Sequence, residues 1–253
     1  MDRLLERQES IQRTLAGKHL KGRQLLLYDL TSSYFEGEYA DSDLDTFGSN
    51  RDGKKGHEQV VIGLLCNAEG CPIGTEVFRG NTKDSTTALA QVRKLRDDYG
   101  LDQMIWVGDR GTITQANAAL INSTEDLHSI SALTHSEIVK LLDRKVLQAE
   151  LFDDKNIVEV LDSEDPTKPY CLCRNPVTTQ RECKTRRRRP DCIRKTVSLE
   201  MRLIYQKTDD RIRSHVLICV LAYYLQWYLT ERLKPLFESD GKARTVSGRF
   251  KTY

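Results

Sequence analysis

The stretch from Gln24 to Gly37, QLLLYDLTSSYFEG, constrains the fold most, because it places the carboxylate of Asp29 inside an otherwise apolar run. The flanking leucines, from Leu25 to Leu30, predict a strand that is buried on both faces. A buried carboxylate must be protonated, paired or bound to a cation. The alternative interpretation is an aspartate at a strand end that only forms a turn.

A second copy of the pattern favours a functional pair. The run Met104 to Gly111, MIWVGDRG, presents Asp109 directly after a short apolar segment. Functional groups gather at strand ends in open α/β sheets, so the two carboxylates could converge on a divalent cation. Oxygen ligands without a His or Cys cluster suit Mg²⁺ or Mn²⁺ better than zinc. The pair therefore indicates phosphoryl-transfer chemistry.

Length and composition predict a soluble, cytoplasmic protein that does not enter a membrane. The chain has 253 residues and 39% hydrophobic content, enough for one or two domains with a real core. Its first residues indicate a charged amphipathic helix instead of a signal peptide, and the apolar run Val216 to Leu229 is too short to span a bilayer. The seven cysteines show no paired CxxC spacing, so neither a disulfide framework nor a zinc site is indicated.

Charge is unevenly distributed along the chain. Residues 1–173 carry 20 Lys and Arg against 29 Asp and Glu, a net charge of −9, whereas residues 174–253 carry 19 against 8, a net charge of +11. A basic C-terminal third beside an acidic body suggests a polyanion partner. A solvated basic face is the alternative.

The order of predicted elements gives the fold class. We expect a helix over residues 2–16, a first strand from residue 24, and an antiparallel hairpin from strands 57–66 and 71–78. Helices over 84–100, 114–121 and 135–150 then alternate with strands at 104–109 and 127–133, and Asp84 is expected to cap the first of these helices. This order predicts an α/β protein with an RNase H-like mixed sheet flanked by helices, followed by a C-terminal helical segment.

Several strings resemble insertion-sequence transposases of the Asp-Asp-Glu (DDE) class, which have an RNase H-like catalytic domain. They lie along nearly the whole chain: YDLTSSYFEG, HEQVVIGLLCNAEGCPIGTEVFRGNTKDSTT, VGDRG, LFDDKNIVEVL, CRNP and RLIYQKTDDRIRSHVLICVLAYYLQWYL. The resemblance implies that Asp29 and Asp109 are the first two acids of the catalytic triad and ligands of Mg²⁺ or Mn²⁺. It also implies double-stranded DNA as the partner, at the terminal repeats and the target.

The third acid of the family is missing from its expected place. The family motif has the form Tyr-x2-Arg/Leu-x3-Glu-x6-Lys, and its Lys is similar to Lys195, in RKTVSLEMRLIY. Counting back seven residues reaches Arg188, which would repel a cation. Glu182, Asp191 and Glu200 are nearby acids without the matching register.

The region before Lys195 is also shorter than the family's β-rich insertion. The resemblance therefore implies a truncated and internally deleted member. Its expected parts are an N-terminal helix and linker (1–22), a catalytic core (23–150), a remnant of the insertion with a basic junction (151–194), and a C-terminal helical segment that completes the core (195–253).

Basic residues supply the candidate DNA contacts. Arg110 matches the family's Asp-Arg pair and could contact a phosphate or pair with Asp109. Lys195 matches the motif, and the consecutive Arg186, Arg187, Arg188 and Arg189 could grip the DNA backbone or be an unstructured junction left by deletion. His57 and His215 are expected to pack or cap. After His215, residues at helical spacing are expected to be core, namely Leu217, Leu221, Tyr224, Leu225 and Tyr228.

Three functions remain open on the sequence. The first is a DNA transposase that cleaves and joins strands at element ends, here a degenerate copy. The second is an inactive remnant that binds DNA or a full-length transposase, with a homodimer also possible. The third is an unrelated metal-dependent phosphohydrolase.

We expect affinity for DNA to reside mainly in the segment after Arg174 and to fall steeply with salt. Its net charge of +11 would release counterions from the phosphates that it contacts. Measuring DNA binding over a salt series, with and without this segment, tests the expectation. Salt-insensitive binding, or binding that survives the deletion, would contradict it.

Overall fold

A computed structural model describes residues 2–35, 42–48, 57–147, 157–164, 169–173 and 206–238 of the chain. The chain divides into two compact units. The first unit comprises Met1–Ser131 with Thr196–Tyr253, and the second comprises Ala132–Lys195.

The elements of the first unit follow in the order that the sequence predicts, with one short additional strand. The first unit contains α1 (Asp2–Leu5), α2 (Gln8–His19), β1 (Gln24–Tyr34), β2 (Thr46–Phe47), β3 (Glu58–Asn67), β4 (Pro72–Arg79), α3 (Asp84–Asp97), β5 (Met104–Gly108), α4 (Gln115–Asn122), β6 (Leu127–Ile130) and α6 (Asp209–Glu238). The second contains α5 (His135–Asp143), β7 (Ile157–Leu161) and β8 (Pro169–Cys173).

The main sheet has six strands and mixed direction. β3 pairs antiparallel with β1, β2 and β4, whereas β1, β5 and β6 run parallel to each other. An antiparallel meander of three strands that continues into two parallel strands, with helices between the parallel ones, is the RNase H-like arrangement. The predicted fold class is confirmed.

The turn between β3 and β4 forms where the sequence predicts a hairpin. The side-chain oxygen of Asn67 accepts hydrogen bonds from the backbone N–H groups of Glu69 (3.1 Å) and Cys71 (2.9 Å). Gly70 supplies the left-handed conformation, with φ of 80°. An Asx-type turn with Gly in this position joins antiparallel strands at low steric cost.

Burial along β1 alternates instead of being complete on both faces. Leu26, Tyr28 and Leu30 are buried, whereas Leu25 and Leu27 are half-buried and Asp29 is exposed. The prediction of a buried carboxylate at Asp29 was therefore wrong. Residues in alternate positions point to opposite faces of a sheet, and the face that carries Asp29 is only partly covered at this point.

The core lies on both faces of the sheet. On one face, Leu26 and Trp106 pack with Val92 and Leu95 of α3. On the other face, Val60 and Ile62 of β3 pack with Ile212 and Val216 of α6. The interior positions of α6 thus lie near its start, while Leu225 and Leu229 further along it are exposed, contrary to the expectation that Leu225 is core.

Helix boundaries differ from the predicted ones at several ends. The N-terminal helix is broken at residues 6 and 7 into α1 and α2, and α3 ends at Asp97 instead of residue 100. α6 begins at Asp209, six residues before His215, because two aspartates in its first turn favour the positive end of the helix dipole.

The second unit contains an ion pair between the partly exposed Arg144 and the buried Asp162. β7 and β8 pair antiparallel, and Arg144, just after α5, lies 2.7 Å from the carboxylate of Asp162 and also pairs with Glu164. Thr134 caps α5 in a reciprocal capping box with Glu137. The predicted remnant of a β-rich insertion falls on these two strands.

No helix in the described parts of the chain is long and apolar enough to cross a membrane. In the same ranges, Cys66, Cys71, Cys171 and Cys219 are free thiols.

Asp45, beside β2, is an acid with buried oxygens. Both of its carboxylate oxygens are out of contact with solvent. Burial, reinforced by the neighbouring Glu58, raises the pKa of Asp45 to about 7. The folded protein therefore holds a proton at this position over a pH range in which an unfolded chain has lost it.

We expect Asp45→Asn to flatten the pH dependence of stability. Because folding raises this pKa from 3.8 to about 7, the free energy of unfolding of the natural protein should fall as pH rises through that window. The neutral amide has no proton to lose, so Asp45→Asn should unfold at a higher temperature than the natural protein at pH 8. Thermal unfolding at pH 5 and pH 8 measures this, with exposed Asp43→Asn as the matched control. An unchanged pH dependence in Asp45→Asn would contradict the assignment.

Candidate active site

Asp29 lies in the middle of β1, opposite Leu64 of β3. One oxygen of its carboxylate accepts a hydrogen bond from the backbone N–H of Leu30, at 3.0 Å. The side chain is exposed. An exposed carboxylate on a rigid central strand can offer its oxygens to a cation or to a substrate.

Asp109 is the first residue after β5, and the loop that follows holds its carboxylate. Its Oδ1 accepts two hydrogen bonds from Thr112, one from the backbone N–H at 2.8 Å and one from the hydroxyl at 2.7 Å. The backbone carbonyl of Asp109 accepts from the N–H of Ile113, at 2.9 Å. Thr112 and Ile113 are buried, so the carboxylate is fixed to a well-packed turn.

The parallel pairing of β1 with β5 brings the two aspartates side by side. The last pair in the register is Tyr28 with Gly108, and Asp29 and Asp109 are the next residues of the two strands. Neighbouring strands are about 4.8 Å apart, and equivalent residues of a parallel pair point to the same face. The sequence prediction that the two acids lie on adjacent central strands agrees with this arrangement.

A third carboxylate, Asp84, lies beside Asp109. Gly111 marks the place: a Cβ on this glycine would lie 3.0 Å from Oδ2 of Asp84 and 3.4 Å from Oδ1 of Asp109. The two carboxylates thus face the same small space above a residue without a side chain. The prediction that Asp84 caps α3 was wrong, because Lys83 occupies the cap position and Asp84 is the first helical residue, where the helix dipole favours an acid.

Asn117 fixes the start of α3 against the loop that carries Asp109. This buried residue of α4 donates hydrogen bonds from its amide to the carbonyls of Ser85 (2.7 Å) and Thr112 (3.2 Å). A buried side-chain amide needs such partners. Sequence reasoning missed both Thr112 and Asn117, because neither residue type in a polar loop signals which distant backbone group it will bind.

A cavity of about 460 Å³ opens beside Asp84 and Gly111. Much of its wall is polar and comes from the end of β1 and from the segment that leads into α3. The residues that present polar side chains there include Thr31, Ser32, Asn81, Thr82, Lys83 and Ser85. Hydroxyl, amide and ammonium groups of this kind can bind phosphate and sugar oxygens.

The donor set at this end of the sheet consists of carboxylate oxygens. Asp29, Asp109 and Asp84 are hard oxygen donors that suit Mg²⁺ or Mn²⁺ and do not suit zinc. Among the described residues, no group of three or more His, Cys, Asp or Glu side chains could hold a metal ion together, so Asp84 does not complete a three-ligand site with Asp29 and Asp109. The oxygen chemistry of the two adjacent aspartates nevertheless fits a magnesium-type cation.

The other predicted site residues are only partly placed by the structure. Arg110 is exposed directly after Asp109. His57 is exposed just before β3, with its ring 6.2 Å from that of Tyr34, and His215 lies inside α6. The predicted DNA contacts Arg186, Arg187, Arg188, Arg189 and Lys195 lie outside the described residues, as do the acids Glu182, Asp191 and Glu200.

Comparisons with known proteins give weak structural similarity. No protein-family model matches the chain, and no curated protein matches its sequence. The chain is similar to a pre-cleavage Mos1 transpososome, at 10% identity and a TM-score of 0.35, over 96% of this chain and 64% of that one.

Two further solved structures show similarity over a shorter range. The Mos1 transposase paired-end complex with the left transposon end has 12% identity and a TM-score of 0.28, over 57% of this chain and 55% of that one. The Mos1 mariner paired-end complex with Mn has 10% identity and a TM-score of 0.26, over the same shares. The chain thus spans about 55 to 64% of the length of these proteins.

Proposed function

We propose that this protein is a DNA transposase of the insertion-sequence, Asp-Asp-Glu class, which cleaves and transfers DNA strands at element ends. The observation that carries the proposal is the parallel register of β1 and β5, which puts Asp29 and Asp109 side by side on adjacent central strands. The sequence strings around both aspartates resemble this family, and the sheet has the matching RNase H-like order.

In this proposal Asp29 and Asp109 hold Mg²⁺ or Mn²⁺. The ion, when bound, would activate the attacking water or hydroxyl and neutralise charge on the phosphate. Thr112 orients the carboxylate of Asp109 through two hydrogen bonds. Asp84 adds a negative charge next to Asp109 and so favours a cation at this place.

The cavity beside Asp84 is where we place the DNA strand. Its hydroxyl and amide groups would bind the phosphate and sugar oxygens on one side of the cleaved bond. Lys83, which also lines it, supplies a positive charge for the same phosphates. Arg110 follows Asp109 and is a second candidate for a phosphate contact.

A second function is favoured by one observation in the sequence. Arg188 stands where the family has its catalytic Glu, and a missing carboxylate lowers the affinity and positioning of the metal ions. The chain could then be a remnant that binds DNA or a full-length transposase without cutting. An unrelated metal-dependent phosphohydrolase would use the same two aspartates on another phosphate ester.

The proposal also includes the binding partners and the cellular location of the protein. A transposase would act on double-stranded DNA at its terminal repeats and target, as a homodimer or beside a full-length transposase. It would work in the cytoplasm of its host cell, in contact with the DNA.

We expect Asp29→Asn and Asp109→Asn each to lower Mg²⁺-dependent nicking of double-stranded DNA by at least about a hundredfold. Removal of a single electrostatic stabiliser costs about 10² to 10³ in rate, and a metal ligand should cost no less. Exposed Asp98→Asn, at the other end of α3, is the matched control and should leave nicking unchanged. Chelation of the metal should abolish the activity of the natural protein.

The nicking assay also distinguishes the three candidate functions. Equal nicking by the natural protein and Asp29→Asn would refute the enzymatic proposal. No nicking by either protein, with DNA binding retained, would leave the binding remnant. Hydrolysis of small phosphate esters without action on DNA would favour the phosphohydrolase.

We expect Gly111→Ala to reduce nicking without destabilising the fold. The new Cβ would lie 3.0 Å from Oδ2 of Asp84, so this carboxylate must shift by a few tenths of an ångström, and it would fill the space next to the carboxylate of Asp109, at 3.4 Å. The same change restricts the unfolded chain, which typically stabilises a protein by about 0.4–1 kcal/mol where the backbone allows it. Urea unfolding and the nicking rate measure the two effects. Gly17→Ala, which has open space around it, is the control; unchanged nicking in Gly111→Ala would show that the space above Gly111 is not used.

A further inference from the structure

A cluster of aromatic side chains covers the hairpin turn between β3 and β4. Trp227 donates a hydrogen bond from its indole N–H to the carbonyl of Glu69, at 3.1 Å, and Tyr223 donates from its hydroxyl to the carbonyl of Gly70, at 3.2 Å. The rings of Trp227 and Tyr224 are stacked, with centroids 6.2 Å apart. The second half of α6 is therefore tied to the sheet by polar contacts of its aromatic residues.

Two exposed cations are positioned by this cluster. The ammonium group of Lys18, at the end of α2, lies 3.1 Å from the hydroxyl of Tyr224 and 4.8 Å from the ring centroid of Tyr228. The guanidinium group of Arg232 donates to the hydroxyl of Tyr228 at 3.0 Å and lies 5.3 Å from the same ring centroid. Tyr228 thus holds a Lys and an Arg from two different helices next to one ring.

Like charges in such proximity repel each other, which is a cost that a bound anion would remove. None of the ion pairs in the described ranges involves Lys18 or Arg232. His19 adds no charge at neutral pH, since burial and the neighbouring Lys18 lower its pKa. Glu231 is the neighbour of Arg232 in the chain, and Glu69 is near enough to His19 to oppose the lowering of its pKa.

We propose that Lys18 and Arg232, held in place by Tyr224 and Tyr228, bind backbone phosphates of double-stranded DNA. The identity of this partner rests on the proposed function, whereas the surface is a second one, formed by α2, α6 and the β3–β4 turn. Both cations are exposed, and the hydroxyl of Tyr228 can also donate a hydrogen bond to a phosphate oxygen, whereas that of Tyr224 lies 3.1 Å from Nε2 of His19.

A long polyanion could contact both this surface and the cavity beside Asp84, whereas a small phosphate could not. The turn precedes β4, and Gly80, which lines the cavity beside Asp84, follows it. The eight residues of β4 span about 25 Å, so a ligand that reaches both places must be extended. Since Lys18 and Arg232 already contact the ring of Tyr228, the contact is with phosphates and not with stacked bases, so binding here is independent of base sequence.

The test compares two double variants of this 253-residue chain that lose the same charge. Lys18→Gln with Arg232→Gln removes the proposed contacts, and Arg93→Gln with Arg96→Gln removes two exposed charges from α3 as the control. Binding to a duplex of arbitrary sequence is measured over a salt series in EDTA, where no cleavage occurs. Loss of two phosphate contacts should lower the slope of log K against log salt by about 1.8 in the first variant only.

A second readout follows the cluster directly. The chain has two tryptophans, and Trp106 is fully buried in the core, so a change in tryptophan fluorescence on DNA binding would come from Trp227. We expect this change in the natural protein, and we expect it to be lost with Lys18→Gln and Arg232→Gln. Lys18→Arg with Arg232→Lys should retain it, because the charges remain.

Three outcomes would overturn the proposal. The first is an equal salt slope in the natural protein and in the first variant, and the second is an equal loss of slope in both double variants. The third is a first variant that weakens binding to single-stranded RNA or DNA more than binding to the duplex. Retained Mg²⁺-dependent nicking with an unchanged slope would refute this surface alone. Loss of nicking in Asp29→Asn with intact duplex binding would agree with a DNA-binding surface that is separate from the active site.

Discussion

The parallel pairing of β1 with β5 is the interaction on which the rest of the site depends. Five consecutive residues of each strand are in register, from Gln24 with Met104 to Tyr28 with Gly108. The register is rigid because Leu26 and Trp106, on the inner face of this pair, are completely buried. A slip by one residue would move both side chains out of the core and turn the aspartate to the other face.

The loops next to Asp109 then fix the positions of the side chains that the paired strands bring together. Thr112 fixes the carboxylate of Asp109, and Asn117 ties the start of α3 to the same loop. Gly111 leaves room for the carboxylates of Asp84 and Asp109 to face one space. A rigid sheet with loop-borne polar groups at its edge is the usual way in which α/β proteins build a site.

Charge separates the two surfaces that we assign to DNA. The site at Asp29 and Asp109 presents carboxylates, which repel a phosphate backbone unless a cation lies between them. The surface at Lys18 and Arg232 presents cations, which attract the same backbone without help. DNA that binds first to the cationic surface could then approach the acidic site only where a metal ion compensates the negative charge of the carboxylates.

The sequence alone determined the order of the elements, the hairpin at Asn67 and the two strands that carry Asp29 and Asp109, because these follow from local apolar runs and turn residues. Only the tertiary structure decided that Asp29 is exposed, since burial depends on which helix covers the neighbouring face. It also decided that Asp84 lies beside Asp109. Likewise, it placed Lys18 and Arg232, which are 214 positions apart in the chain, next to the ring of Tyr228. Contacts of this kind arise from how α3, α2 and α6 pack on the sheet, and no local pattern in the chain encodes that packing.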